Sequence, residues 1–168
     1  ADAWYAGAVA WAVEQGITSG TGNGKFSPDG SCTRAQMVTF LWRVNGSPGI
    51  GTANPFSDVS SDAYYYDAVL WAVEQGITGG TGDGKFSPDA PCTRAQMATF
   101  LWRANGSPKV TGTTPFSDVS AGTYYCNAVL WAYEQNITNG TGGGKFSPDA
   151  PCTRAQMVQM LKNASDAA

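Results

Sequence analysis

Three arginines, Arg34, Arg94 and Arg154, recur 60 residues apart, each inside the block Cys-Thr-Arg-Ala-Gln-Met. A guanidinium is a planar fork of N–H donors that can grip a carboxylate or a phosphate with two bonds. Thr33, Thr93 and Thr153 precede these arginines, and Gln36, Gln96 and Gln156 stand three residues after the threonines. That is the spacing of a capping box, and it places each arginine in the first turn of a helix. The macrodipole is positive there, so the helix gains nothing from a cation. An anion is therefore expected close by. One source is internal, from Asp29, Asp89 and Asp149 or from Glu14, Glu74 and Glu134. The other is an external acid, which free backbone N–H groups at a helix start would help to hold. Three such places at a fixed interval suit a polymeric anion.

Other chemistries find less support. Cys32, Cys92 and Cys152 occupy one repeat position, Cys126 replaces Tyr66, and the chain has no histidine. No cysteine pair has zinc spacing, so the three matched cysteines read as small buried residues stapled across the helix start, Cys92 onto Met97. A Cys126–Cys152 bridge is the open alternative. The segment Gly82-Asp83-Gly84-Lys85 with Asp89 resembles a calcium loop, but the third copy is Gly142-Gly143-Gly144 with only Asp149 as a carboxylate. Calcium needs more oxygens than that. No metal and no cofactor is expected. Without histidine there is no Ser-His-Asp set, and a carboxylate pair such as Glu74 with Asp89 recurs three times, whereas an active site is usually built once. The expectation is a protein that binds and does not catalyse.

Composition narrows the partners. A net charge of −3 over 168 residues, with basic residues scattered singly, offers no field for nucleic acid. No apolar run approaches the roughly 20 residues of a membrane span. The period divides the chain into repeats at 1–48, 55–108 and 115–168, each too small to hold a core alone, so the three should share one. Repeats two and three open with Pro-Phe-Ser-Asp-Val-Ser, whereas Ala1 aligns with Ser61. The first repeat is thus expected to be truncated and cut from a longer polypeptide. At the other end Lys162 and Asn163 stand where the earlier copies have Trp42-Arg43 and Trp102-Arg103.

The elements that would position the arginines are legible. From Tyr64 to Gln75 the apolar residues follow helical spacing, widened by Leu70 and Trp71, and Gly76 should end this helix in the left-handed conformation. Asn136 replaces that glycine in repeat three. A glycine-rich loop follows, carrying Gly-Lys-Phe-Ser-Pro-Asp, whose Phe26, Phe86 and Phe146 are expected to plug the core. The second helix starts at the Thr93 cap and closes at Asn105-Gly106.

Phe56-Ser-Asp-Val, Trp71-Ala-Val-Glu-Gln-Gly-Ile-Thr-Gly-Gly, Gly84-Lys-Phe-Ser-Pro-Asp and Thr93-Arg-Ala-Gln-Met together resemble the S-layer homology (SLH) repeat over nearly the whole chain. The resemblance implies a mainly α fold: three helix-loop-helix repeats in a pseudo-threefold arrangement around a central three-helix bundle, with three prongs. It implies a noncatalytic anchor for acidic, commonly pyruvylated, secondary cell-wall polysaccharide on the bacterial cell surface, bound in grooves between repeats, with a cargo domain elsewhere in the polypeptide. The signature arginine of the family, which contacts the acidic sugar, falls at Arg34, Arg94 and Arg154, and a loop glycine that lets the backbone approach the sugar falls at Gly20, Gly80 and Gly140. The family tetrapeptide usually ends in Glu; Gln here keeps the capping bond and drops a charge. Trp11, Trp71 and Trp131 are further candidates, since an indole face can stack on a sugar, although on so apolar a helix they also read as core. The alternative function is a protein-interaction or self-assembly module of a surface layer.

Overall fold

A computed structural model describes residues 3–168; Ala1 and Asp2, the first two positions of repeat one, lie outside the described residues. Six helices carry the fold: α1 (Ala6–Glu14), α2 (Arg34–Val44), α3 (Tyr66–Glu74), α4 (Arg94–Ala104), α5 (Cys126–Glu134) and α6 (Arg154–Ala167). Each repeat supplies two of them, joined by the glycine-rich loop. The described residues contain no β-strand, only isolated bridges.

Local chemistry sets the helix ends where the sequence places them. In α2, α4 and α6 the Thr hydroxyl accepts from the Gln backbone N–H and the Gln side chain accepts from the Thr backbone N–H, a complete capping box in all three copies. Helices α1, α3 and α5 are followed by Gly16, Gly76 and Asn136 at φ of 70°, 69° and 58°. Asn is the side chain that tolerates this conformation best, which is why one copy can dispense with glycine. The shorter helix begins at Tyr66, two residues later than its apolar pattern, because Tyr64 and Tyr65 lie in the preceding turn.

The covalent repeat is not the packing unit. Helix α2 packs on α3, α4 on α5, and α6 returns to α1, so each second helix lies against the first helix of the next repeat and the last closes on the first. Helix α4 also meets α2 and α6, and the three line one cleft at the end of the central bundle, with α1, α3 and α5 and the loops outside it as prongs. Closure is visible in the backbone: Cys32 N–H donates to Cys152 C=O, Cys92 to Cys32, and Cys152 to Cys92, each at 2.8 Å. Such a ring holds all three copies in register about one axis. The cysteine side chains inside it are fully buried and unbridged, and their thiols are pushed up, those of Cys92 and Cys152 to about 12, by burial.

Phe86 and Phe146 fill the core as the pattern anticipates, each under a second ring, Phe56 or Phe116, at 5.7 Å. Asp58 pins this arrangement by accepting from the backbone N–H of Phe86 and of Ser87, both at 2.9 Å, and Asp118 does the same for Phe146 and Ser147 at 2.8 Å. Phe26, the equivalent residue of repeat one, is half-buried. Helix α6 runs three residues longer than α4 and ends with a Lys162–Asp166 ion pair at 2.6 Å.

Candidate groove between repeats

Arg34, Arg94 and Arg154 lie at the seams of the ring. Arg34 Nε donates to the Phe86 carbonyl at 2.9 Å, Arg94 Nε to the Phe146 carbonyl at 2.8 Å, and Arg154 Nε to the Phe26 carbonyl at 2.8 Å. Each arginine therefore clasps the loop of the following repeat, the last clasping the first. The guanidinium lies over the aromatic ring of the same loop residue, 4.8, 4.7 and 4.8 Å from the centroid. Arg34 is 3% exposed and the other two 4%.

Among the described residues no carboxylate forms an ion pair with these cations; Asp58 and Asp118 act on Arg34 and Arg94 only from beyond ion-pair distance. Among the described residues the ion pair found is Lys162–Asp166, and none of the aspartates or glutamates considered as partners reaches an arginine. In each arginine Nη2 is buried without a hydrogen-bond partner. An unpaired buried donor is costly, by about 1–3 kcal/mol, and more when charged. Burial accordingly pulls all three guanidinium pKa values down.

One expectation fails here. The N–H groups at the helix start are not free for a ligand: Arg34 N–H donates to Ala90 C=O, Ala35 N–H to Pro88 C=O, and Gln36 N–H to the Thr33 hydroxyl. The same pattern holds at α4 and α6. Neighbouring loops consume these donors because the helix start is the surface on which repeats join. Any anion must be held by the side chain.

The Arg34 and Arg94 seams open as grooves. One, of about 360 Å³, has Arg34 from repeat one, Thr78–Thr81 with Gln96, Thr99, Phe100 and Arg103 from repeat two, and Tyr124 from repeat three. The second, of about 410 Å³, has Arg94, residues 136–141 with Gln156, Gln159, Met160 and Asn163, and Trp4. The Arg154 seam repeats the pattern, with Phe40 5.6 Å from the guanidinium and Tyr64 close enough for its phenol to act on the arginine charge. All three repeats contribute to each groove, so the site exists only in the closed triplet.

Gly80 and Gly140 line these grooves. Their missing side chain serves the loop: at φ of 89° and 85° a Cβ would collide with the Lys85 or Lys145 carbonyl and with the ring of Phe56 or Phe116. Gly20 meets the Lys25 carbonyl in the same way. Trp71 and Trp131 are buried and Trp11 is half-buried, all packed with the apolar core; Trp71 and Trp131 border other clefts, lined by none of Arg34, Arg94 and Arg154, though Arg103 reaches the Trp71 cleft. Two further components complete the grooves; the sequence offers the pairs Tyr64-Tyr65 and Tyr124-Tyr125 as groove lining without deciding which ring faces out, and gives no sign of Trp4 or of a second arginine. Trp4, Tyr64 and Tyr124, 64%, 60% and 60% exposed, stand edge-on to Tyr5, Tyr65 and Tyr125. Arg43 and Arg103, from the far end of the central helices, reach back to donate to the Ile17 and Ile77 carbonyls at 2.8 and 2.9 Å. The apolar stripe alone left the outward tyrosine of each pair undetermined, and the second arginine is brought in by packing 26 residues away.

The chain matches the S-layer homology domain at residues 1–38, 55–98 and 115–158. It is 35% identical over 121 residues, 69% of its length, to a cell surface protein of Thermoanaerobacter kivui. It is 31% identical over 88% of its length to the surface-layer 125 kDa protein of Lysinibacillus sphaericus, and 32% identical over 88% to an endoglucanase of Bacillus sp. strain KSM-635. The chain spans only 16%, 13% and 16% of those three proteins. Among the described residues no helix is long and apolar enough to cross a membrane. A module shared by surface-layer proteins and an endoglucanase, and so small a part of each, accompanies their other activities without supplying them. The chain belongs to the S-layer homology domain family, as a triplet of repeats, and is a noncatalytic cell-wall-anchoring module of the bacterial surface.

Proposed function

We propose that the triplet, with repeats at 1–48, 55–108 and 115–168, anchors a larger polypeptide by binding an acidic, pyruvylated secondary cell-wall polysaccharide in the grooves at Arg34, Arg94 and Arg154. The observation that carries this reading is the buried guanidinium, without a carboxylate partner among the described residues, lining a groove. A ketal carboxylate is the anion such a fork fits, and a ring-sized groove with an exposed aromatic at its mouth fits the sugar that bears it. Gly20, Gly80 and Gly140 shape the groove wall by letting the loop fold tightly beside the arginine. Trp11, Trp71 and Trp131 support the site through the core. No metal or cofactor enters this mechanism, and the remainder of the polypeptide is the cargo.

Anchoring strength comes from repetition. Each groove makes a modest charge-assisted contact, and a polymer that fills two grooves gains effective concentration. Cosedimentation of the chain with bacterial wall sacculi, native and acid-stripped of polysaccharide, tests the reading. Binding to native walls that is lost on stripping supports it. Equal binding to both preparations, or concentration-dependent self-association without wall binding, sends the function to the protein-interaction alternative.

A further inference from the structure

The three grooves are not copies, and one of them departs in a coordinated way. Thr39 and Thr99 become Gln159, Phe40 and Phe100 become Met160, and Arg43 and Arg103 become Asn163. All three changes lie in the Arg94 groove. Asn163 keeps the hydrogen bond that its equivalents make: its amide donates to the Ile137 carbonyl at 3.1 Å, matching Arg103 on Ile77 and Arg43 on Ile17. The fold contact is preserved and the charge is removed. Gln159 in turn donates to the Asn163 Oδ1 at 2.9 Å, which ties the two amides into one chain. With Met160 in place of a phenylalanine, Arg94 lies over one ring instead of two, and the groove is the larger, about 410 Å³ against about 360 Å³. Its exposed aromatic is Trp4, where the other two have tyrosine.

We propose that the Arg94 groove is a subsite for an uncharged N-acetylated sugar, while the Arg34 and Arg154 grooves, each with a second arginine, take the acidic one. The assignment rests on the glycan-binding reading above. One cation and two linked side-chain amides suit an acetamido group, which both donates and accepts. The indole gives a wider face for a sugar ring than a phenol. A chain with two sugar specificities would bind an alternating polymer in a fixed phase.

The test is a heteronuclear NMR titration of the whole chain with two probes, the methyl glycoside of N-acetylmannosamine and its 4,6-O-pyruvate ketal. The neutral glycoside should move the Trp4 indole N–H and the Gln159 and Asn163 amides, and leave the Arg43 and Arg103 Nε–H signals in place. The ketal should do the reverse. Trp4→Ala should weaken the neutral glycoside about fivefold. Asn163→Arg, which recreates the contact already made by Arg103, should strengthen the ketal in this groove about fivefold and weaken the neutral sugar. Equal binding of the ketal in all three grooves of the wild type, or of the neutral sugar in all three, overturns the inference alone. So does ketal binding at Arg34 and Arg154 with no neutral sugar at Arg94. Silence of every groove toward both probes overturns the inference and the glycan-binding reading together.

Discussion

Replacing Arg34 by methionine separates what this residue does for the fold from what it does for a ligand. The side chain donates one hydrogen bond, Nε to the Phe86 carbonyl at 2.9 Å, and lies 4.8 and 5.4 Å from the ring centroids of Phe86 and Phe100. Losing the bond orphans a buried carbonyl, about 1–3 kcal/mol, and losing the cation over two rings costs about 0.5–2 kcal/mol. Against this, the wild type buries Nη2 unpaired, at about 1–3 kcal/mol, and holds a charge with no ion-pair partner among the described residues, at several kcal/mol even after relaxation. A methionine fills much of the same volume without either cost. The opposing contributions are of equal order, so Arg34→Met should unfold within about 1 kcal/mol of wild type in urea, followed by tryptophan fluorescence, while wall binding weakens. Arg34→Ala opens a void between Phe86 and Phe100 and should lose about 2–4 kcal/mol. A loss above about 3 kcal/mol in the methionine variant would show that the arginine is retained for stability and would refute the reasoning.

Further outcomes follow from the same geometry. Gly80→Ala forces a side chain into the Lys85 carbonyl and the Phe56 ring at φ of 89°, and should cost more than about 2 kcal/mol and abolish the Arg34 groove; thermal unfolding and glycan titration measure both. Burial alone would raise the Asp58 and Asp118 carboxyls, but backbone N–H donors outweigh it and hold both below the usual range. Their contribution is present above the unfolded carboxylate pKa of about 3.9 and disappears as the pH falls through the lower folded values, so a Asp58→Asn, Asp118→Asn variant should show a flatter loss of stability below about pH 4. Native labelling with iodoacetamide at pH 8 should modify Cys126, the half-buried thiol, and spare Cys32, Cys92 and Cys152 until the chain unfolds; rapid labelling of all four would contradict the buried ring.

Much of this fold is written locally. The Thr-x-x-Gln box gives the start of each central helix, and Gly76 with Asn136 gives the stop of each outer one, because capping satisfies backbone groups within a few residues. What local chemistry does not disclose is that α2 packs on α3 and that α6 returns to α1, since the pairing is decided by which apolar stripes complete one another. The same gap explains the site. Arg34, Arg94 and Arg154 stand out by type and position, but whether they meet an internal aspartate depends on the seam, where the loop carbonyl of the next repeat takes the Nε and no aspartate of the described residues comes within ion-pair distance. The occupied N–H groups at the helix starts escaped notice for that reason too: their acceptors, Ala90 and Pro88 for α2, lie more than 50 residues along the chain. Tyr124 of repeat three in the groove of Arg34 of repeat one is visible only in the closed ring.

Capture of the acidic glycan by the seam arginines is measured most directly by calorimetric titration of purified acidic wall polysaccharide into the wild type and into the Arg34→Met, Arg94→Met, Arg154→Met chain. The two proteins should unfold alike, the wild type should bind with an affinity that falls as salt rises, and the triple variant should release no binding heat, with each single variant between them. A folded triple variant that binds with wild-type affinity would contradict the account.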